Sequence, residues 1–416
     1  MLGGARARRA RGPVRPYAGR VQMSELTALL TPHGLALLGD LGPISSTAEA
    51  AQAVSRLRAA GEAPDLVAAV VGQAHLRQKA TAKFGEFASR MLFTRAGLEQ
   101  ATRLPVAARH AGRMRAAGLT RIADLGCGIG GDSLAFAGAG LTVQAVDADE
   151  VTAAIAAYNL AVFGADVTVT HGQAETSDLG VVDALWLDPA RRTAGHRETR
   201  RVGAADYAPP LEWVFDAAAS RPTGVKLGPG HDRAALPADA ETQWVSADGS
   251  VVELVVWTGA LARPGVRRAA LVLRDGRAHE LTAAADAPDA AVRPLGGYLH
   301  EPDGAVIRAR LIGTVAQQLD AGMLDPRIAY LTGDGAVTSP FVQSFRVRET
   351  MPANAKAISR VLVAHGIGRL EIKKRGMDVD PAAFRRSLTL RGDAEATLVL
   401  TRAGGKHVAI LADRVG

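Results

Sequence analysis

The 416-residue sequence contains one cysteine, Cys127, and few aromatic side chains, which make up 4% of the chain. A single thiol excludes an internal disulfide framework and any cysteine-rich zinc site, and this usage is typical of a reducing cytoplasm. None of the ten histidines falls in a His-x-x-x-His or His-Glu-x-x-His spacing, so we predict no structural or catalytic metal. Because aromatics are scarce, the core must be built mainly from Val, Leu, Ile and Ala.

The sequence also lacks a long apolar run. No segment reaches the roughly 18 apolar residues that a membrane-spanning helix needs, and the first residues have no apolar core of the kind found in signal peptides. The 48% hydrophobic and 22% charged residues instead indicate a globular protein of two or three domains. We therefore expect a cytoplasmic protein.

The formal net charge of +7 is concentrated at the two ends of the chain. Residues 1–22 hold six arginines, no acidic residue and no apolar periodicity, so we predict a disordered basic tail. Residues 339–416 hold 14 Lys and Arg against 7 Asp and Glu, whereas the stretch between the two ends is mildly acidic. A basic surface is therefore expected on the C-terminal part of the chain.

Apolar periodicity divides the rest of the chain into four regions. Residues 23–118 are helical in pattern throughout. In residues 119–275 short apolar runs alternate with helical patterns, which is typical of a parallel sheet wrapped by helices, and Asp248-Gly249 predicts a closing hairpin. Residues 276–338 form a connecting region that contains a helix over 305–319, and Asp275-Gly276 at its start predicts a second hairpin. Residues 339–416 form a small α/β module.

The most informative motif is the glycine-rich segment 124–132, Asp-Leu-Gly-Cys-Gly-Ile-Gly-Gly-Asp, between an apolar strand and an Ala-rich helix. Glycine is required where a strand turns sharply into a helix with its backbone against a ligand, because a side chain would occupy the place of the ligand. Through Gly126, Gly128 and Gly131 the segment also satisfies Gly-x-Gly-x-x-Gly, the dinucleotide fingerprint. The motif alone therefore leaves two kinds of nucleotide cofactor open.

Acidic residues at three strand ends distinguish the two cofactors. Asp124 ends the first strand, where a carboxylate suits an ammonium group and would repel a pyrophosphate. Asp147 ends the second strand, 21 residues after Gly126, where a carboxylate suits the ribose hydroxyls of either cofactor. Asp188-Pro189 ends the fourth strand and has no place in a nicotinamide site. Together these residues favour S-adenosylmethionine (SAM).

These residues resemble motifs I, II and IV of the class I SAM-dependent methyltransferases. The run 187–192, Leu-Asp-Pro-Ala-Arg-Arg, together with 298–308 and 339–413, resembles the methyltransferases that carry a C-terminal THUMP-like domain. The resemblance implies an α/β fold in which a seven-stranded, doubly wound, Rossmann-like methyltransferase domain lies between a helical N-terminal region and a small C-terminal α/β domain. It also implies SAM as the cofactor and methyl transfer as the activity.

The resemblance places SAM against the glycine loop and the ends of the first three strands. Asp124 and three glycine amides would meet its methionine end, Asp147 its ribose and Gln173 its adenine amine. The implied cofactor residues are Asp124, Gly126, Gly128, Gly130, Asp147 and Gln173.

Asp188 and Pro189 are the implied catalytic residues. In related enzymes this motif accepts the hydrogens of an exocyclic amine, and an aromatic residue that follows the prolines stacks on the base. Here Ala190 and Arg191 replace the second proline and the aromatic residue. Arg191 or Arg192 is therefore a candidate to stack on a base or to hold a phosphate, and the alternative is a pair of solvated loop arginines.

Three further features have two interpretations each. Lys226, at the tip of the fifth strand, is interpreted as a solvated lysine, with contact to an anionic substrate as the alternative. Cys127 has no His or Asp partner at motif distance, so we interpret it as a small filler and not as a nucleophile. Residues 83–93 hold three phenylalanines, which predicts helix packing, and a cap that touches the active site is the alternative.

The C-terminal module is the candidate RNA-binding part. Lys373, Lys374 and Arg375 lie along one predicted strand and its exit, where cations neutralise phosphates. THUMP domains are associated with RNA, so RNA, either tRNA or rRNA, is the partner and substrate that the resemblance implies. Two alternatives stay open: a protein or small-molecule methyl acceptor, and a non-catalytic protein that binds RNA or SAM.

Overall fold

The computed structural model describes residues 23–191 and 207–415. The predicted basic tail, residues 1–22, and Arg192 lie outside this part of the chain, as does the side chain of Arg191. The N-terminal region is helical, as predicted. Its helices are α1 (Met23–Leu29), α2 (Pro32–Leu41), α3 (Thr47–Ala59), α4 (Pro64–Phe84), α5 (Arg95–Gln100) and α6 (Leu104–Ala116).

Local sequence explains several of these helix starts. The hydroxyl of Ser46 accepts a hydrogen bond from the amide of Glu49, and the Glu49 carboxylate accepts one from the amide of Ser46, which is a capping box at the start of α3. Pro64 opens α4 at a position where its missing amide hydrogen costs nothing. The helices bury Leu, Val and Ala against one another and against the first sheet.

The central domain contains a nine-stranded sheet and a separate two-stranded pair. Its helices are α7 (Gly131–Gly138), α8 (Glu150–Leu160) and α9 (Leu211–Ser220). The strands are β1 (Arg121–Leu125), β2 (Thr142–Asp147), β3 (Val167–His171), β4 (Ala184–Leu187), β5 (Ala190–Arg191), β6 (Tyr207–Ala208), β7 (Thr223–Leu227), β8 (Glu241–Ala247), β9 (Ser250–Thr258), β10 (Arg268–Arg274) and β11 (Arg277–Ala283). In the large sheet the spatial order is β11-β10-β8-β9-β7-β4-β1-β2-β3, and β5 pairs with β6.

The predicted doubly wound class is confirmed, but the sheet has nine strands instead of seven. Strands β3, β2, β1, β4 and β7 run parallel, and β9 is antiparallel to both β7 and β8, as the seven-strand plan requires. Strand β10 then adds to the edge parallel to β8, and β11 follows through the predicted Asp275-Gly276 turn. The local sequence predicts the β10–β11 hairpin. Which strand of the sheet the hairpin pairs with depends on tertiary contacts, and these cannot be predicted from local patterns.

The C-terminal half is built on a second sheet of seven strands. These strands are β12 (Tyr298–Pro302), β13 (Gly322–Asp325), β14 (Ile328–Gly333), β15 (Val342–Pro352), β16 (Ile367–Lys374), β17 (Ala394–Ala403) and β18 (Lys406–Arg414), in the order β13-β14-β12-β15-β18-β17-β16. Three of them, β12, β13 and β14, come from the predicted connecting region. The predicted helix over 305–319 is two helices, α10 (Gly304–Arg308) and α11 (Ile312–Gln318), separated at Arg310, whose φ is +60°.

Two helices, α12 (Ala355–Ala364) and α13 (Pro381–Arg386), cover one face of the second sheet. Helix α10 packs on the first sheet, because Ala305 and Val306 are buried with Trp244 and Leu254 in a common core. Over residues 23–191 and 207–415, none of the helices has both the length and the apolar character needed to cross a bilayer.

Candidate active site

The glycine-rich segment forms the turn between β1 and α7. Gly126 and Gly128 have φ values of +88° and +57°, in the left-handed region that favours glycine. A Cβ on Gly126 would lie 2.8 Å from the backbone oxygen of Asp188, so only glycine allows the loop to approach the end of β4. A Cβ on Gly128 would meet no atom within 4 Å. The loop is therefore tightly packed at Gly126 and borders open space at Gly128.

The amides of the three glycines assigned to the cofactor bond within the protein. Each donates to the loop or to β2 at 2.9 Å: Gly126 to the carbonyl of Val146, Gly128 to the carboxylate of Asp147, and Gly130 to the carbonyl of Cys127. This differs from the expectation that these amides face the methionine end of SAM. The tight turn itself uses these three amides as donors. At these positions the loop therefore offers the cofactor space and not hydrogen-bond donors.

Asp124 is buried beneath the loop. Its Oδ2 accepts a 2.5 Å hydrogen bond from the hydroxyl of Ser133, and within the described part of the chain its Oδ1 has no partner. Burial, reinforced by the nearby carboxylate of Asp132, raises the pKa of Asp124 to about 8. A buried acceptor without a partner is costly, and a cationic ligand group would satisfy it.

Asp147 fixes the loop from the end of β2. Its two carboxylate oxygens accept hydrogen bonds of 2.9 Å from the amides of Gly128 and Asp149. Burial raises the pKa of Asp147. Each oxygen keeps a second lone pair, so this side chain is able to hold the loop and to accept hydrogen bonds from ligand hydroxyls at the same time.

A cleft of about 1340 Å³ opens at the carboxyl ends of the parallel strands. This is larger than the roughly 300 to 1000 Å³ of an ordinary small-molecule pocket, so it has room for a nucleoside cofactor and a second reactant. Asp124 is buried and is not one of the residues that line the cleft, and the same holds for Gly130, which packs against Leu160. The other predicted cofactor and catalytic residues line the cleft together: Gly126, Gly128, Asp147, Gln173, Asp188 and Pro189.

Lys226 is not the solvated lysine that we expected from the sequence. Its Nζ donates a 2.5 Å hydrogen bond to Oδ2 of Asp188 and a 2.9 Å hydrogen bond to Oγ1 of Thr102. Only 12% of its side chain is exposed. Burial alone would lower the pKa of Lys226, but the carboxylates of Asp188, Asp132 and Glu253 outweigh it and raise the pKa well above its usual value. Lys226 is therefore a buried cation beside the predicted catalytic carboxylate.

A buried chain of charged groups continues behind this pair. Both ring nitrogens of His110 contact carboxylates at 2.8 Å, Nδ1 that of Asp132 and Nε2 that of Glu253. The doubly protonated imidazolium donates from both nitrogens, and two flanking carboxylates favour this form. Burial opposes that charge, but Glu253 and Asp132 outweigh it and raise the pKa of His110 to about 9. The Thr102 hydroxyl closes the network with a 2.7 Å hydrogen bond to Asp132.

Sequence reasoning missed these supporting residues. Asp132 ends the glycine-rich motif. Thr102 lies between α5 and α6, His110 lies on α6 and Glu253 lies on β9, so all three are distant from the motif in sequence. The one sequence signal was a histidine, His110, on an amphipathic helical pattern.

The backbone after Pro189 brings an aromatic residue to the cleft. Strand β5 pairs antiparallel with β6, which sets Arg191 opposite Tyr207. Tyr207 lines the cleft, and its hydroxyl lies 3.3 Å from Nδ1 of His231. The proposed stacking roles of Arg191 and Arg192 fall on side chains outside the described part of the chain.

Cys127 is buried in the loop. Its thiol contacts the carbonyl of Gly128 at 3.6 Å, and burial raises the pKa of Cys127 well above its usual value. A thiol that stays protonated is a poor nucleophile, which agrees with its interpretation as a filler. In the described ranges, no group of three or more His, Cys, Asp or Glu side chains is arranged to hold a metal ion.

The three cations assigned to RNA divide between the two faces of β16. Lys373 donates a 2.7 Å hydrogen bond to Glu301 on β12, and Arg375 lies 3.3 Å from the same carboxylate. Lys374 is exposed and alternates with Lys373 along the strand, so it lies on the face covered by α12 and α13. Glu301 thus neutralises two of the three candidates.

The fold and the cleft together define a class I methyltransferase architecture with an added C-terminal sheet. Proteins described as uncharacterized S-adenosylmethionine-dependent methyltransferases in Mycobacterium tuberculosis, strains CDC 1551 and H37Rv, are 36% identical to this chain over 360 residues. The match covers 84% of this chain and 95% of each relative. The chain therefore belongs to this family of SAM-dependent methyltransferases, and SAM is its cofactor.

Two regions match described domain families. The family described as "THUMP domain-like" matches residues 342–414, which confirms the predicted THUMP-like domain. A family described as a domain of unknown function matches residues 22–80. Among solved structures, a "putative methyltransferase" from Porphyromonas gingivalis W83 superposes with a TM-score of 0.71 at 22% identity, covering 92% of this chain and 98% of that chain. That similarity supports the fold across both sheets.

Proposed function

We propose that this enzyme transfers the methyl group of SAM to a nucleotide in RNA, either tRNA or rRNA, in the cytoplasm. The observation that carries the proposal is the shared cleft, in which the glycine loop and the Asp188–Lys226 pair face one space. A THUMP-like domain in the same chain, with a net charge of +7 over residues 339–416, supports a polyanionic substrate.

The residues of the loop fit the chemistry of SAM. The unpartnered Oδ1 of Asp124 suits its ammonium group, the oxygens of Asp147 suit its ribose hydroxyls, and Gln173 suits its adenine amine. The open space at Gly128 leaves room for the methionine chain. Bound SAM supplies an activated methyl group with a neutral thioether as the leaving group, so the protein mainly has to position the acceptor and exclude water.

Asp188 is the residue that we propose orients the acceptor. Lys226 holds Oδ2, and among the described residues Oδ1 has no hydrogen bond, so Oδ1 is free to accept one from an N–H of the substrate base. Burial raises the pKa of Asp188, and the Lys226 ammonium opposes that rise by favouring the ionised carboxylate. Cys127 is buried and protonated, and no second cysteine exists in the chain, so carbon methylation through a cysteine adduct is disfavoured. We therefore propose a nitrogen acceptor, whose N–H would donate to Oδ1 of Asp188.

The helical side of the C-terminal module is the proposed RNA surface. Within the part of the chain that the structure describes, five exposed cations on this side have no carboxylate partner. Lys356 and Arg360 lie one turn apart on α12, and the hydroxyl of Ser359 between them accepts a hydrogen bond from the amide of Thr389 after α13. The five cations are Lys356, Arg360, Lys374, Arg386 and Arg391.

The test is transfer of labelled methyl from SAM to bulk tRNA and rRNA at low salt, with Asp188→Asn as the inactive variant. Replacing Lys356 and Arg360 by Glu should weaken RNA binding. It should also reduce the slope of log affinity against log salt concentration by about 1 per lost phosphate contact. Replacing Arg56 and Arg58 of α3 by Glu makes the same charge change elsewhere and should leave RNA binding near the wild-type value. Absence of transfer to any RNA, with transfer to nuclease-treated cell extract, would instead establish a protein or small-molecule acceptor.

A further inference from the structure

Thr102, from the helical N-terminal region, contacts the predicted catalytic pair directly. Its Oγ1 accepts a 2.9 Å hydrogen bond from Lys226 Nζ and donates one of 2.7 Å to Oδ2 of Asp132. The residue is 6% exposed. Because the hydroxyl accepts from Lys226 and donates to Asp132, it fixes the Lys226 ammonium between Asp132 and Asp188. The position of the Lys226 ammonium therefore depends on a residue outside the methyltransferase sheet.

The backbone that carries Thr102 is itself held from α4. Lys83, near the end of α4, donates hydrogen bonds of 2.8, 2.8 and 2.7 Å to the carbonyls of Leu98, Glu99 and Ala101. These carbonyls belong to the last turn of α5 and the residue after it, where helix carbonyls have no partners of their own. One ammonium thus fixes the segment that ends at Thr102. Lys83 and Lys226 repel one another, and burial lowers the pKa of Lys83 to about 8.

The same region also contacts the glycine loop. The amide of Asn159 on α8 donates to the carbonyls of Ile129 and Leu92, at 2.9 and 3.0 Å, and accepts from the amide of Leu92 at 2.7 Å. Gly97 approaches the loop so closely that a Cβ on it would lie 2.5 Å from Cγ2 of Ile129. Phe84 packs on Gly131. In the phenylalanine-rich segment 83–93, Phe84 and Phe93 are therefore core residues and Phe84 also touches the cofactor loop, whereas Phe87 is 52% exposed.

We propose that the N-terminal helical region is a working part of the methyltransferase site, in which Thr102, held by Lys83, positions Lys226 and through it Asp188. This inference rests on the proposed methyl transfer at Asp188. Thr102 and Lys83 are positioning residues, because the hydrogen bonds of Thr102 go to Lys226 and Asp132 and those of Lys83 go to backbone carbonyls. The proposal assigns a role to a region whose matched family carries no description of function.

The test compares three full-length variants with the wild type. Thr102→Val keeps the shape of the side chain and removes the hydroxyl, Thr102→Ser restores the hydroxyl, and Lys79→Met changes an exposed lysine of α4 near Lys83. Methyl transfer by Thr102→Val should fall on the order of 10- to 100-fold, because a displacement of about 1 Å at a reacting group has that effect. Its affinity for SAM, measured by calorimetry without an acceptor, should stay within about threefold of the wild type. Thr102→Ser and Lys79→Met should transfer at nearly the wild-type rate.

A second measurement needs no methyl acceptor. The Cε and Nζ resonances of Lys226, recorded at a single neutral pH, should shift in Thr102→Val relative to the wild type and Thr102→Ser, because the ammonium loses the Oγ1 acceptor of Thr102. If the wild type methylates no RNA, the proposed substrate is wrong, and the same variants are ranked on nuclease-treated extract. Wild-type transfer by Thr102→Val, or unchanged Lys226 resonances in that variant, would overturn the positioning role whatever the acceptor is.

Discussion

Lys226 and Asp188 form a 2.5 Å ion pair at the carboxyl ends of two adjacent parallel strands, β7 and β4. Both residues line the cleft, and the side chain of Asp188 is 32% exposed whereas that of Lys226 is 12% exposed. The Lys226 ammonium is held by Asp188 and Thr102, so we interpret Lys226 as a support for Asp188.

Replacing Lys226 by Met should separate stability from activity. The change leaves Asp188 without its cation, and breaking a buried pair in this way costs on the order of 3 kcal/mol of unfolding free energy. The double variant Asp188→Asn/Lys226→Met removes both charges and should recover much of that stability, measured by denaturant unfolding. Methyl transfer should remain lost in both. A double variant as unstable as Lys226→Met alone would show that the loss comes from packing.

Binding of SAM should strengthen as pH rises toward 8. Asp124, with a pKa of about 8, is mostly protonated at lower pH, and the ammonium of SAM needs the carboxylate, so binding below pH 8 releases a proton. Affinity measured by calorimetry should rise about tenfold per pH unit well below pH 8, reach a maximum near pH 8 and fall at higher pH, where the ammonium of SAM loses its own proton. Methylthioadenosine, which lacks the amino acid group, should show no such dependence. In Asp124→Asn, SAM binding should be weak at every pH, and a wild-type pH profile in this variant would contradict the assignment.

The stability of the folded chain should fall between pH 6.5 and 9. His110 has an ordinary pKa of 6.5 and a folded pKa of about 9, so its contribution is fully present below pH 6.5 and is lost as pH rises through 9. The pKa difference corresponds to about 3 kcal/mol. Asp124, whose folded pKa is also raised, adds a loss of the same sign that ends near pH 8. Replacing Glu253 by Gln keeps an acceptor for Nε2 and removes a charge that raises the pKa of His110, so the decline in thermal midpoint should be smaller and should end at a lower pH. Identical profiles would show that His110 is not charged.

Two alanine substitutions in the glycine loop, Gly126→Ala and Gly128→Ala, should lower SAM affinity for different reasons. Both positions have positive φ, which costs a residue with a Cβ about 1 to 2 kcal/mol. Gly126→Ala adds a contact of 2.8 Å with the backbone of Asp188 and should lower both the thermal midpoint and SAM affinity. Gly128→Ala meets no protein atom, so its thermal midpoint should fall less while SAM affinity falls sharply. Wild-type SAM binding by Gly128→Ala would show that the cofactor does not occupy this space.

The sequence allowed prediction of whatever depends on neighbours along the chain. The glycine loop, the strand-end carboxylates at Asp124 and Asp147, and the Asp275-Gly276 turn are all local patterns, and the structure has each turn or strand end where the pattern indicates. Helix starts such as the capping box at Ser46 belong to the same group.

What the sequence could not show is how distant charges pair. From the sequence alone Lys226 is interpreted as a solvated lysine, because its partners, Asp188 and Thr102, lie 38 and 124 positions away. Lys373 is interpreted as an RNA contact, because its partner Glu301 lies 72 positions away in the predicted connecting region. Pairing of this kind decides whether a cation is available to a ligand, and it is set by tertiary packing alone.

The second sheet determines where the chain can be cut to prepare a C-terminal fragment. A fragment that begins at Val342, where the THUMP-like match begins, would lose β12, whose backbone bonds to β15 from residue 298 to residue 302. It would expose an unpaired strand edge, which invites self-association, and would free Lys373 and Arg375 from Glu301. Such a fragment would bind polyanions more strongly than the intact enzyme does, and its affinity for RNA would overstate that of the native surface.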